Sequence, residues 1–261
     1  MENVTVIIPR RGINDEGKGK KYALLKLISA AQTEYVWLQD DDVTVNSETD
    51  LSCGFEGLDL LILPLTMTAG GGSLVEQLQQ LEYVAIQSLT LWAAENNHPV
   101  MCSGANLIVK RERWLESYPD LHTEIPSGDD MFLLESFKRR GLKIGMHTHP
   151  VATIQPLPSL RQLLRQRMRW AGKAPKYKDK DILLCGVTTF LTNLFLWFPP
   201  VFISKYIFDM WLIHRGVYEY KLLKNKKLTA DIWLLALLLE VVYPLYMFIC
   251  LLGGLFRQNK W

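Results

Sequence analysis

Three consecutive carboxylates, Asp40-Asp41-Asp42, stand immediately after the apolar run Tyr35–Leu38. Such a trio repels itself at a strand end unless a cation screens it. Hard oxygen donors suit Mg2+ or Mn2+, which bind one or two carboxylates and complete their shell with substrate phosphates. Asp40 and Asp42 form a D-x-D pair for that ion. A second acidic group, Gly128-Asp129-Asp130, opens a run with helical spacing, Asp129–Arg140. One acid at a helix start is an ordinary cap favoured by the helix dipole. A second, adjacent acid exceeds that need and suits a general base. A third group, Gln166-Arg167-Met168-Arg169-Trp170, falls in a basic amphipathic stretch, Ser159–Ala171, with Ser159 as N-cap. On a helix, Gln166, Arg169 and Trp170 lie at i, i+3 and i+4 and share a face. That face offers an amide, a guanidinium for phosphate and a flat ring for a sugar. Arg161, Arg165 and Arg167 read as a basic surface for lipid headgroups on another face. Taken singly, the three groups also have plain readings: a solvated turn, a helix cap and an interfacial helix.

The elements that must position these groups alternate between strand and helix. Val4–Ile8, Tyr35–Leu38, Leu58–Leu65, Ala105–Val109 and Lys143–His147 are short apolar runs and predict strands. Gly17–Ala31, Ser73–Glu95, Asp129–Arg140 and Ser159–Ala171 carry helical spacing, the second behind a Gly70-Gly71-Gly72 entry. Alternation of this kind argues an α/β layer architecture with a largely parallel sheet, whose ligands bind beyond the carboxyl ends of the strands.

Composition divides the chain. Of 261 residues, 29 are Lys or Arg and 27 are Asp or Glu, which gives no reason to expect a nucleic-acid partner. With 21% charged and 11% aromatic residues the chain is not a disordered one. The apolar segments 182–198, 201–213 and 232–256 crowd the C-terminal third, with Pro199-Pro200 between the first two. The last is long enough to span a membrane, and Trp197, Trp211 and Trp233 mark its interfaces. The alternative is a buried helical core. A linker with Arg215, Lys221, Lys224, Lys226 and Lys227 favours the cytoplasmic face, so 182–213 reads as a hairpin or re-entrant pair. Glu240, inside the last segment, is expected to face another helix or an acceptor rather than lipid. Cys53, Cys102, Cys185 and Cys250 include no C-x-x-C and read as buried reduced thiols. The N-terminal apolar run is too short for a signal peptide, which places residues 1–180 on the cytoplasmic side, at the plasma membrane if the source is bacterial.

D-x-D, G-D-D and Q-x-x-R-W, in that order and followed by membrane segments, resemble the family 2 glycosyltransferases with cytosolic GT-A domains. The pattern is most similar to the membrane-associated branch that includes cellulose and hyaluronan synthases and ceramide glucosyltransferases. GKGKKYAL resembles the stretch preceding the family's metal motif, and SGANLIVKRE, with Gly104-Ala105-Asn106, the segment shaping the acceptor side. The resemblance covers roughly residues 3 to 180. It implies a Rossmann-like GT-A domain over 1–180, including an interface helix at 159–172, with a mixed, mostly parallel sheet, and a membrane region over 181–261. It implies a nucleotide-diphosphate sugar donor, a lipid, lipid-linked or saccharide acceptor, and Mg2+ or Mn2+ held by Asp40 and Asp42. Asp130 would be the base and Asp129 its orienting partner or substitute. Gln166, Arg169, Trp170, Asp41 and Lys18, or its neighbour Lys20, would contact the donor diphosphate or the acceptor. His147 or His149 completing the metal site stands against both being satisfied loop histidines.

The family normally begins with a strand–helix–strand unit that holds the nucleotide base. Here one short strand precedes GKGKK, so the chain reads as N-terminally shortened. A misplaced start, a truncation or a degenerate copy each accounts for this, and a protein partner could supply the missing part. A non-catalytic, degenerate transferase retained as a membrane scaffold or subunit is the alternative function, and donor binding with Mn2+ separates the two. A transporter is poorly supported, because most of the chain reads as soluble α/β.

Overall fold

The structure is a computed structural model that describes residues 3–10, 13, 16–45, 55–68, 72–125, 127–223 and 229–256. Cys53, the Gly70-Gly71 pair and the linker residues Lys224, Lys226 and Lys227 lie outside the described residues. In chain order the elements are β1 (Val4–Ile7), α1 (Lys20–Ala30), β2 (Tyr35–Gln39), β3 (Thr44–Val45), β4 (Leu60–Ile62), β5 (Leu65–Met67), α2 (Leu74–Glu95) and β6 (Asn106–Lys110). Then follow α3 (Arg111–Ser117), α4 (Asp129–Arg139), β7 (Ile144–Met146), β8 (Ala152–Ile154), α5 (Leu160–Ala171), α6 (Lys180–Leu194), α7 (Pro199–Tyr218) and α8 (Ala230–Phe256). By compactness the chain divides into one unit of residues 1–65 with 90–153 and another of 66–89 with 154–261. Segments 66–89 and 154–180 thus group with the apolar C-terminal helices.

The first unit is built on a five-stranded sheet in the order β1-β2-β6-β4-β7. β1 is parallel to β2 and β4 to β7, whereas β6 is antiparallel to both β2 and β4. Four of the five strands therefore share one direction, and β6 runs against them: the fold is a mixed α/β one with a mostly parallel sheet. Every residue of β2 is buried, as a central strand covered on both faces requires. Leu24 and Ile28 of α1 and Phe132 and Phe137 of α4 supply the helical side of the core, each at most 2% exposed. Asn106 is also fully buried, at 0% exposure. Its Oδ1 accepts from Trp37 Nε1 at 2.8 Å and its Nδ2 donates to the Leu63 and Pro64 carbonyls at 3.4 Å, so its polar cost is met inside the protein.

Several local expectations change. The run Leu58–Leu65 is not one strand but β4 and β5, parted at Leu63-Pro64, where proline has no N–H to give a ladder. The helix expected from Gly17 begins at Lys20, because Gly17 and Gly19 take φ of +75° and +89° and turn the chain before it. Gly128, with φ of +84°, is the cap of α4, so Asp129 and Asp130 both sit inside its first turn rather than one of them capping it. Pro199-Pro200 stands at the break between the apolar helices α6 and α7, as expected, and opens α7, where missing N–H groups cost nothing; α7 then runs on past Ile213 to Tyr218.

In the second unit, Gln79 of α2 pairs its amide with both backbone groups of Leu157, at 2.9 and 3.0 Å. α5 crosses α8 in backbone contact: a Cβ on Gly254 would lie 2.7 Å from Gly172 N and 2.8 Å from Met168 O. Lys205 of α7 sits 2.6 Å from Asp209 and 2.6 Å from Glu240, so the acid inside the apolar α8 does face another helix. Among the described residues α8 is the one helix long and apolar enough to cross a membrane, and only 22% of its most apolar stretch is buried. Cys102 and Cys250 are buried and Cys185 is half-buried, all three as free thiols.

Candidate active site

The sheet brings three distant segments to one end. Asp40 follows the carboxyl end of β2, and β6, being antiparallel, begins beside it; Asp40 N donates to Ala105 O at 3.4 Å. α1 enters from the carboxyl end of β1 with Lys20 as its first residue. Lys20 Nζ lies 2.6 Å from Asp40 Oδ1 and 3.3 Å from Asp129 Oδ2, joining the D-x-D and G-D-D motifs. Asp130 is held by backbone: its Oδ2 accepts from Gly104 N at 3.1 Å and its Oδ1 from Met131 N at 2.8 Å. Both acids at the start of α4 gain from the helix dipole, whereas Lys20 and Lys21 at the start of α1 oppose it. The acids repay Lys20. Lys21 is buried and donates to the carbonyls of His122 and Ile125 at 2.8 and 2.7 Å, fixing the loop that leads into α4.

Acids outnumber ammonium groups at this cluster: Asp40, Asp129 and Asp130 act on Lys20, Asp129 and Asp42 act on Asp40, and Lys21 adds to Lys20 at Asp129. Burial opposes charge on Lys20, yet Asp129 and Asp40 outweigh it and hold the ammonium above the ordinary lysine range. Burial also opposes ionisation of Asp129, but Lys20, a backbone hydrogen bond and Lys21 keep its carboxyl below the usual value. At Asp40 burial prevails over Lys20, and with repulsion from Asp129 and Asp42 it pushes the carboxyl up. Burial and the same acids, Asp130 and Asp129, push the Cys102 thiol well up, and its Sγ contacts Asp130 O at 3.3 Å. Asp41 and Asp42 are exposed, and Asp42 makes no hydrogen bond or ion pair among the described residues. Asp40 and Asp42 are hard oxygen donors of the kind that suits an ion shared with substrate phosphates. Among the described residues no three His, Cys, Asp or Glu gather to hold one by themselves.

Other expected residues lie apart from this cluster. Lys18 is turned to Glu16, 3.8 Å away, and stands over the Tyr22 ring at 4.4 Å, with its side chain 60% exposed. His147 Nδ1 is 2.8 Å from His149 O, so the two histidines engage each other within their loop. Gln166, Arg169 and Trp170 belong to α5 in the second unit. Arg169 makes no hydrogen bond or ion pair among the described residues, and Trp170 is 38% exposed. Arg167 corrects the sequence reading: it is not on a headgroup-facing surface but buried, paired with Glu82 at 2.8 Å. The role of Lys20 as the bridge, of Gly104 as a donor to Asp130, and of Arg167 could not be ranked from spacing. The available signal was two lysines opening a helix against its dipole, which calls for acceptors nearby: acids at Lys20, backbone carbonyls at Lys21.

A family model described as "Glycosyltransferase like family 2" matches residues 2–173. Comparison with curated proteins gave no match. Among solved structures, the mannosyltransferase PcManGT from Pyrobaculum calidifontis in complex with GDP-Man and Mn2+ aligns at a TM-score of 0.45 and 15% identity, over 93% of this chain and 67% of that one. A structure described as a mycobacterial protein aligns at a TM-score of 0.30 and 19% identity, over 59% of this chain and half, 50%, of that one.

Proposed function

Because the chain belongs to the glycosyltransferase-like family 2, we propose that it moves a sugar from a nucleotide-diphosphate donor to the hydroxyl of a lipid, lipid-linked or saccharide acceptor at a membrane face. The convergence of Asp40, Lys20, Gly104, Asp129 and Asp130 at one end of the sheet carries this reading. Asp130 takes the acceptor proton; two backbone N–H groups fix its carboxylate and leave lone pairs free for the hydroxyl. Asp129, locked by Lys20, keeps the first turn of α4 in place. Attack in line with the leaving diphosphate inverts the anomeric centre. Asp40 and Asp42 are the residues that would hold Mg2+ or Mn2+, which when bound offsets charge on the departing diphosphate. Gln166, Arg169 and Trp170, which belong to the second unit, are assigned to the acceptor or the diphosphate by the family resemblance.

Membrane attachment is supported by α8 and by the apolar surface around it. Trp197, Leu245 and Phe256 are 71%, 69% and 84% exposed, unlike a core helix packed in a soluble protein. α5 lies against the Gly253-Gly254 end of α8, which would set its exposed Arg161 and Arg165 at the headgroup level.

The purified full chain, incubated with a panel of UDP- and GDP-sugars and Mn2+, should release nucleoside diphosphate from at least one donor. EDTA should stop the release, and added Mn2+ or Mg2+ restore it. No release from any donor, and no millimolar binding of one, would support the non-catalytic scaffold instead.

Gly104 gives a sharper check. A Cβ there would meet Asp129 Oδ2 at 3.0 Å, Asp130 Cβ at 3.4 Å and Lys20 Nζ at 3.4 Å. Gly104→Ala should therefore shift the acids and slow transfer by roughly tenfold or more, since misplacement by a fraction of an ångström is costly in a positioned site. Steady-state rates, with circular dichroism to verify folding, measure this; a parent-like rate would count against the cluster as the reacting centre.

A further inference from the structure

Arg167 stands outside the three residues that Q-x-x-R-W picks out, yet its guanidinium is the hub of that segment. Its Nη2 donates to Glu82 Oε2 at 2.8 Å and its Nε to Glu82 Oε1 at 3.5 Å. Its Nη1 donates to Gln166 Oε1, and its Cζ lies 4.1 Å from the centroid of the Trp170 ring. The pair is almost closed to water, with side chains 9% and 7% exposed. A planar fork of this kind fixes direction as well as charge, and a lysine at the same place would be a point charge without it. Glu82 lies on α2 and Arg167 on α5, both in the second unit, so the pair ties one helix to the other.

Two consequences follow for the neighbours. The amide oxygen of Gln166 is taken, which sets the amide so that its NH2 is the end left to meet a ligand oxygen. One face of Trp170 is covered by the guanidinium while the ring remains 38% exposed, so its plane is set before any ligand arrives. We propose that Arg167, held by Glu82, is a positioning residue that orients Gln166 and Trp170 for the phosphate or sugar oxygens of a nucleoside diphosphate sugar. This rests on the sugar-transfer reading above.

The test uses the full chain in detergent, with Arg167→Met, Arg167→Lys and Glu82→Gln, each made also with Trp170→Phe. Subtracting the Trp170→Phe spectrum isolates the emission of Trp170, and acrylamide quenching reports how firmly its ring is covered, without any substrate. Affinity for UDP and for GDP, each with Mn2+, is measured by calorimetry. Arg167→Met should raise Trp170 quenching about twofold and weaken the better-bound nucleotide about tenfold. Arg167→Lys should recover only part of both, since it keeps the charge but loses the fork. Should Arg167→Met alone fail to fold, the Glu82→Gln/Arg167→Met pair removes both charges and should show the same quenching. A variant that melts earlier but keeps parental Trp170 quenching and nucleotide affinity would reduce Arg167 to a structural ion pair and overturn the proposal. A parent chain that binds neither nucleotide would overturn the sugar-transfer reading, and this proposal with it, whatever the quenching shows.

Discussion

Asp130→Asn is expected to slow sugar transfer by about 10²–10⁴-fold, the usual worth of a positioned base. The amide is nearly isosteric and keeps one oxygen that can accept from Gly104 N or from Met131 N, so the start of α4 should survive. Losing the second of these hydrogen bonds should cost about 1 kcal/mol of stability, small enough to leave the chain folded. The loss should fall on kcat more than on KM, because proton removal belongs to the transition state rather than to binding. Nucleoside diphosphate release per folded molecule measures it. A variant that folds and transfers as fast as the parent would remove Asp130 from the reaction and shift attention to Asp129.

Lys20→Met should be the most damaging change to stability at the site. It removes the one ammonium that contacts both Asp40 and Asp129, whose side chains are 35% and 9% exposed. Breaking a buried pair by deleting one partner costs about 3–5 kcal/mol, and the exposure of Asp40 argues for the lower end, about 3 kcal/mol. For a chain of this size that corresponds to roughly 6–12 °C in melting temperature. The double change Lys20→Met/Asp129→Asn should win back more than half, because the buried acid no longer needs a cation. Thermal unfolding of the three proteins in detergent decides the matter. A single variant that melts with the parent, or a double variant no better than the single, would mean that Asp129 does not depend on Lys20.

The strands and helices around the site were largely legible because each repeats a simple period. The runs VTVI and YVWLQ are rich in β-branched and aromatic residues and both form strands, though only YVWLQ is buried throughout and Val6 of VTVI is exposed; Ser159 accepts from Gln162 N as a capping serine should. What failed was chemistry at single positions. Pro64 cut one expected strand into two, and glycines at positive φ moved the start of α1, whereas α4 begins at Asp129 as its spacing predicts. The three motifs could be found by composition and order. The division of labour inside them could not, since Lys18 and Lys20 differ by two residues in sequence and lie on opposite sides of an exposed-to-paired divide.

Arg167 shows the limit most plainly. Periodicity placed it with Arg161 and Arg165 on a wet, basic surface, but helix spacing says only which residues share a stripe. Which stripe is buried depends on what the rest of the chain brings to it, here Glu82 from a helix 85 positions away. The sequence alone determined the kinds of chemistry present: acids enough for a cation and a proton, an amide, a guanidinium and a ring, and one helix long enough for a membrane. Tertiary structure alone decided which acids meet which cation. That is because the reversal of β6 within the sheet sets Ala105, next to Gly104, beside Asp40, and neither burial nor distance between remote residues is written in any local period.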